Sequence, residues 1–107
     1  MLAADPRTEI LAAADGDEIL AFAVFFDLPE AVFARRCGAL DDLFVRPGAR
    51  RRGIASAMLA RLRALAGERG CGRFEWFVLD WNKDAQVLYD QVGAKQLPFW
   101  VLCRVDL

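Results

Sequence analysis

The run of residues 19–26 constrains the fold more than any other stretch, because all eight of its residues are apolar. Side chains of a β-strand alternate between its two faces, so both faces of this strand are apolar. One face carries Ile19, Ala21, Ala23 and Phe25, and the other carries Leu20, Phe22, Val24 and Phe26. Such a strand is typical of the centre of a sheet that is covered on both sides.

The patterns around this strand predict seven elements in the order β-β-β-α-β-α-β. Asp15-Gly16 joins a strand over residues 9–14 to the central strand, and an Asp-Gly pair between apolar runs is typical of a hairpin. Residues 40–45 predict a third strand, and apolar residues at a 3.6-residue period predict a helix over 54–66. A strand over 74–79, a helix from Asn82 or Asp84 to about Val92, and a strand over 99–105 complete the order.

This order predicts an α/β fold with one mixed sheet, in a single domain over residues 1–107. The first three strands are expected to form an antiparallel meander. The helix between the third and fourth strands is the crossover that parallel pairing of those two strands requires.

Composition and charge exclude several classes of protein. The net charge of −1 gives no overall field to attract nucleic acid, and no apolar run is long enough to span a membrane, so neither partner is expected. The N-terminal residues do not fit a signal peptide. The three cysteines form no CxxC pair and the chain has no histidine, which argues against a metal site and a Cys-His pair. Reduced thiols in a cytoplasmic protein are the expectation.

A basic turn precedes the first predicted helix. Small residues in it let the backbone approach a ligand, the helix N-terminus favours an anion, and arginines add charge-assisted donors. These features predict a diphosphate cradle, although the residues alone leave open a solvated basic turn before an ordinary helix. The residues of the turn are Arg50, Arg51, Arg52, Gly53, Ile54, Ala55 and Ser56.

The second predicted helix presents a small residue and a phenol on one face. Asn82 begins it, Ala85 lies one turn in, and Tyr89 lies a further turn along. Ala85 leaves room for a ligand, and Tyr89 offers it a proton. The alternative is a capped amphipathic helix in which Tyr89 only packs.

Two acids, Asp41 and Asp42, interrupt the third predicted strand. Adjacent strand residues point to opposite faces, so the two carboxylates are not expected to share a face of a site. Acids in an apolar strand are disfavoured unless they are paired or functional, so one of them is a candidate for binding a cationic substrate. A strand edge with both acids in water stays an open alternative.

These motifs, in this order and spacing, resemble the GNAT family of N-acetyltransferases. Residues 40–45, 74–76 and 81–82 are similar to the spermidine/spermine N-acetyltransferase branch in particular. The resemblance implies that the basic turn, Asn82 and Ala85 bind acetyl-coenzyme A, and that Glu75 and Trp76 join the two acids on the acceptor side. It also implies that the pantetheine arm pairs with the backbone of Leu43, Phe44 and Val45.

The implied reaction is direct transfer of acetyl from acetyl-coenzyme A to a primary amine of a small, polyamine-like or amino-acid-like molecule. A backbone amide near Phe44 would stabilise the oxyanion, and Tyr89 would protonate the leaving thiolate. Asp41 or Asp42 would attract the ammonium and pass its proton to water.

The sequence departs from the family at both ends. Family members usually begin with a strand and two helices, one wall of the acceptor pocket, that have no counterpart before residue 9, and the segment 93–105 is short. A non-catalytic coenzyme A-binding or oligomer-forming remnant is therefore the alternative. A homodimer is expected to cover the apolar sheet face that those helices would cover.

Overall fold

The computed structural model of the chain describes residues 8–28 and 36–107. Strands β1 (Thr8–Asp15), β2 (Glu18–Leu28) and β3 (Arg36–Val45) come first. A short 3-10 turn (Pro47–Ala49) leads to helix α1 (Ile54–Glu68), which is followed by β4 (Cys71–Glu75) and α2 (Lys83–Gln91).

The four strands form one sheet in the order β1-β2-β3-β4. β1, β2 and β3 are antiparallel neighbours, and β3 pairs in parallel with β4 through the α1 crossover, as predicted. The turn between β1 and β2 has Gly16 at a φ of 60°, a left-handed conformation that glycine adopts without strain. The mixed α/β fold class is thereby confirmed.

The core lies between α1 and one face of β2. Ala23 and Phe25 of this face are completely buried, and α1 buries Leu62 and Ala66 against them. Backbone and helix approach closely at Gly38, where an added Cβ would lie 3.1 Å from the Cβ of Ala66. Helix α1 therefore provides the cover that the sequence pattern predicted for this face of β2.

The opposite face of the sheet is less covered. Phe22 on β2 packs its ring 5.7 Å from that of Phe44 on β3, and Phe44 is 41% exposed. Ile10, which pairs with Val24 across the β1–β2 ladder, is 56% exposed. We call this surface the open face, and define it by Ile10, Phe22 and Phe44.

The structure corrects two predicted elements. β4 ends at Glu75, whereas the sequence predicted a strand over 74–79. Residues 99–105, predicted as the last strand, form no strand, and every residue from 95 to 107 is exposed. The physical reason is the same in both places, since an apolar run becomes a strand only where a neighbouring backbone satisfies its N–H and C=O groups. Here the described residues provide no such neighbour.

Candidate active site

The site forms where β3 and β4 part. Their parallel pairing begins at Arg36 and ends with Ala39 opposite Glu75, although β3 continues to Val45. The separation leaves a cavity of about 110 Å³ between β3 and the segment that follows β4. Its lining residues are Leu40, Asp41, Asp42, Leu43, Trp76, Phe77 and Tyr89.

A β-bulge brings both acids to this cavity. In the β2–β3 ladder Val24 pairs with Asp42 and Phe25 pairs with Leu40, so Asp41 is the extra residue. The bulge breaks the strict alternation of the strand, and Asp41 and Asp42 are both exposed and both line the cavity. Both residues therefore border one cavity, and the prediction that their carboxylates lie on opposite faces of the strand stays a prediction.

Tyr89 reaches the cavity from α2 and is half-buried there. Burial raises the pKa of its phenol above the ordinary value of 10.0, so the group stays protonated at neutral pH. The rings of Trp76 and Tyr89 form a T-shaped pair, with centroids 5.2 Å apart and planes at 69°. Tyr89 thus presents a protonated phenol to the cavity that Asp41 and Asp42 also line.

The helix that carries Tyr89 begins as the sequence predicted. Asn82 is the N-cap of α2, and its Oδ1 accepts a hydrogen bond from the backbone N–H of Ala85 at 3.2 Å. At the other end Gly93 has a φ of 89°. The cap uses the side-chain Oδ1 of Asn82 as an acceptor, which leaves its side-chain NH₂ group to donate to a ligand.

The basic turn is arranged as an anion site. Gly53 is the N-cap of α1 with a φ of 76°, and a Cβ there would meet nothing within 4 Å. The first N–H of α1 that has an acceptor is that of Ala57, which donates to the Gly53 carbonyl at 3.0 Å. Among the described residues, the amides of Ile54, Ala55 and Ser56 therefore have no partner. No acidic residue lies in the first turn of α1. These free donors fit a phosphate group.

The three arginines of the turn, Arg50, Arg51 and Arg52, are exposed around these amides. Arg52 donates to the carbonyl of Gly48 at 3.2 Å, and Arg51 adopts a φ of 63°. Arg46 is turned away from the group, since its guanidinium pairs with Glu18 at 2.6 Å.

The free edge of β3 offers backbone groups to a ligand. The N–H of Arg46 donates to Leu20 at 2.9 Å, so alternation turns the backbone of Phe44 toward β2 and that of Leu43 and Val45 away from it. The Val45 carbonyl accepts from Nε of Arg50 at 3.1 Å, which agrees. Of the three residues expected to meet a pantetheine arm, only Leu43 and Val45 have backbone groups at the free edge of β3.

One predicted acceptor-side residue does not reach the cavity, and one that lines it was missed. Glu75 is engaged elsewhere: it pairs with Arg73 at 2.5 Å and accepts from Sγ of Cys37 at 3.3 Å. Phe77 lines the cavity and is 86% exposed. No local pattern pointed to Phe77, because the predicted strand over 74–79 assigned it to the sheet.

Residues 1–94 match the family model described as the acetyltransferase (GNAT) family. The chain belongs to this family. An L-ornithine N5-acetyltransferase of Arabidopsis thaliana is 35% identical over 81% of this chain and 38% of its own length. A thialysine N-ε-acetyltransferase of Caenorhabditis elegans is 49% identical over 63% of this chain and 44% of its own. The chain thus spans less than half the length of these curated relatives.

Solved GNAT structures share the fold. The crystal structure of a ribosomal-protein-alanine N-acetyltransferase from Brucella melitensis biovar Abortus 2308 superposes with a TM-score of 0.84. It is 29% identical, and the match covers 99% of this chain and 75% of that one. In the described part of this chain, no group of His, Cys, Asp and Glu is arranged to hold a metal, and neither helix is long and apolar enough to cross a membrane.

Proposed function

We propose that residues 1–107 are the acetyl-coenzyme A-binding domain of an N-acetyltransferase that acts on a primary amine of a small molecule. One observation carries the proposal: the gap between β3 and β4 gathers a half-buried phenol and two carboxylates around a single cavity, beside a free strand edge. Family membership supports acetyl-coenzyme A as the acyl donor.

The donor is bound at two places in this proposal. The diphosphate lies against the free amides of Ile54, Ala55 and Ser56, and the guanidinium groups of the turn neutralise its charge. The pantetheine arm extends along β3 and takes the backbone groups of Leu43 and Val45. Arg50 must leave the Val45 carbonyl when the arm binds.

The acceptor enters from the side of Asp41 and Asp42 as an ammonium ion. Two exposed carboxylates attract the cation, and one of them passes its proton to water before attack. The relatives act on ornithine and thialysine, both amines of amino-acid type, which supports an amino-acid or polyamine acceptor here. Trp76 supplies an aromatic wall that also favours a cation.

The reaction is direct attack of the amine nitrogen on the thioester carbonyl. The new C–N bond forms as the carbonyl oxygen becomes an oxyanion, which the backbone N–H of Leu43 or Val45 stabilises. The C–S bond then breaks, the electron pair goes to sulfur, and Tyr89 gives its proton to the thiolate. The newly bonded nitrogen, which is positively charged after the attack, loses its extra proton to water and becomes the neutral amide. Bulk water restores the phenol proton.

Calorimetry and a transfer assay test this proposal. We expect acetyl-coenzyme A to bind with at least micromolar affinity, and Gly53→Glu to weaken binding by roughly tenfold or more, about 1.4 kcal/mol. Gly70→Glu is the matched control, since Gly70 has a φ of 74° and equally open surroundings but lies beyond the other end of α1. No binding at millimolar coenzyme would overturn the proposal.

Turnover is then measured with ornithine, thialysine and spermidine as acceptors. Tyr89→Phe should lower kcat by about 10²-fold and leave coenzyme affinity unchanged, because the phenol acts only as the thiolate forms. Binding without turnover for every acceptor would favour the alternative, a non-catalytic coenzyme A-binding module.

We further propose that the protein is a cytoplasmic homodimer that associates through the open face. The partial exposure of Ile10 and Phe44 leaves apolar surface that a second copy would cover. Phe22→Asp should then convert the dimer to a monomer in light scattering, while a monomeric wild type would contradict the proposal. The buried thiol of Cys37 and the absence of disulfides among the described cysteines support a reducing compartment.

A further inference from the structure

Tyr89 is the only tyrosine of the chain, and among the described residues the aromatic ring that contacts it is that of Trp76. Trp76 in turn packs against Phe74, with centroids 5.0 Å apart, and Phe74 lies 5.9 Å from the completely buried Phe25. An unbroken line of ring contacts therefore runs from the core to the phenol.

The helix that carries Tyr89, α2, packs only weakly against the rest of the protein. None of the residues of α2 is buried, although Leu88 and Tyr89 pack partly against the core. The hydrogen bond from Arg63 to the Val92 carbonyl just beyond α2 is long, at 3.4 Å, and exposed. The position of the phenol in the cavity must therefore depend on its direct neighbours.

We propose that Trp76 is a positioning residue for Tyr89: its ring fixes the phenol at the cavity and keeps water from one side of it. The consequence for catalysis rests on the proposed role of Tyr89 as proton donor. The contact between the two rings and its effect on the phenol pKa do not depend on that role.

The electrostatic surroundings of the phenol are simple. Asp41 and Asp42 from β3 line the same cavity, and Arg63 from α1 reaches the end of α2. Burial alone raises the pKa of Tyr89. Removal of the Trp76 ring should admit water and move that pKa back toward its ordinary value of about 10.

A spectroscopic titration tests the proposal without any assay of turnover. Because the chain has one tyrosine, the phenolate absorbance band reports Tyr89 alone. We expect Trp76→Ala to lower the titration midpoint, Trp76→Phe to preserve most of the shift, and Trp81→Ala to change nothing. Trp81 is the matched control because it is 70% exposed and lies on the same stretch of chain.

Kinetics then separate positioning from packing. Trp76→Ala should lower kcat on the order of tenfold, part of the loss expected for Tyr89→Phe, with the KM for acetyl-coenzyme A unchanged. The alkaline limb of its pH–rate profile should move with the spectroscopic midpoint. Trp76→Phe should restore kcat to within about threefold.

The outcomes are distinct. A folded Trp76→Ala protein with an unchanged Tyr89 titration overturns the proposal, whether or not the chain is active. A shifted titration in a chain that turns over no acceptor supports the positioning role and counts only against the proposed function. If Trp76→Ala does not fold, Trp76→Leu replaces it, since leucine fills space without a ring edge. Equal behaviour of the Leu and Phe variants would then overturn the proposal.

Discussion

The chain up to Glu75 and the chain after it use apolar residues in opposite ways. In the first region β2 buries Ala23 and Phe25 beneath α1. In the second region Trp81, Phe99 and Trp100 are each at least two-thirds exposed. Both regions are rich in apolar side chains, so hydrophobicity alone does not decide burial.

The difference lies in what each region has for neighbours. β2 has a strand on both edges and a helix on one face, whereas β4 has a strand on one edge only in the described sheet. Beyond Glu75 the described residues join no ladder; Trp76 and part of α2 pack against the core, but every residue from 95 to 107 stays exposed to water. The candidate site lies at the boundary, with Asp41 and Asp42 held by the first region and Tyr89 by the second.

The largest effect should come from truncation of a core ring. Phe25→Ala removes a completely buried side chain that contacts Phe74, and should lower the free energy of unfolding by about 3–5 kcal/mol. Phe99→Ala is the matched change in the second region, where Phe99 is 76% exposed, and should cost less than about 0.5 kcal/mol. Urea denaturation measures both. A comparable loss in Phe99→Ala would show that the second region is packed in solution.

A smaller effect distinguishes two thiols. Burial, followed by the hydrogen bond to Glu75, raises the pKa of Cys37 from 9.0 to about 11, while Cys103 is exposed. The folded chain therefore keeps a proton that the unfolded chain releases above about pH 9. This stabilisation is complete below pH 9 and is lost as the pH rises through 11. A pKa difference of that size between the folded and unfolded chain stabilises the folded state by on the order of 2–3 kcal/mol.

The exposed Cys103 serves as the control for the buried Cys37 in a measurement of stability against pH. Unfolding is measured between pH 8 and about pH 11. The loss of stability with rising pH should be smaller in Cys37→Ala than in the wild type, and unchanged in Cys103→Ala. If Cys37→Ala follows the wild-type curve, the thiol of Cys37 is accessible to water.

The smallest effect concerns the cap of α2. Asn82→Ala removes the acceptor for the N–H of Ala85 and should destabilise the helix by about 1 kcal/mol, whereas Asn82→Asp keeps an acceptor oxygen. Hydrogen exchange of the Ala85 amide should accelerate in the first variant alone. Equal exchange in both variants would mean that tertiary packing, and not the cap, holds the start of α2.

Much of the first region could be predicted from the sequence, because its signals are local. Asp15-Gly16 sets the hairpin, the apolar run of β2 requires a covering element, and a single 3.6-residue period sets α1 itself. The cap at Asn82 and the left-handed Gly93 follow from side-chain and backbone chemistry within a few residues. The residues of the basic turn and their place before a helix were predictable for the same reason.

Tertiary structure alone decided the rest of the site. The bulge at Asp41, which brings both acids to one cavity, exists only in the pairing of β3 with β2. The end of β4 at Glu75 depends on where β3 diverges, and the contact between Trp76 and Tyr89 depends on how α2 packs. Local patterns fix backbone conformation and which face is apolar. They do not specify which distant backbone satisfies a strand, and that pairing is what opens the cavity.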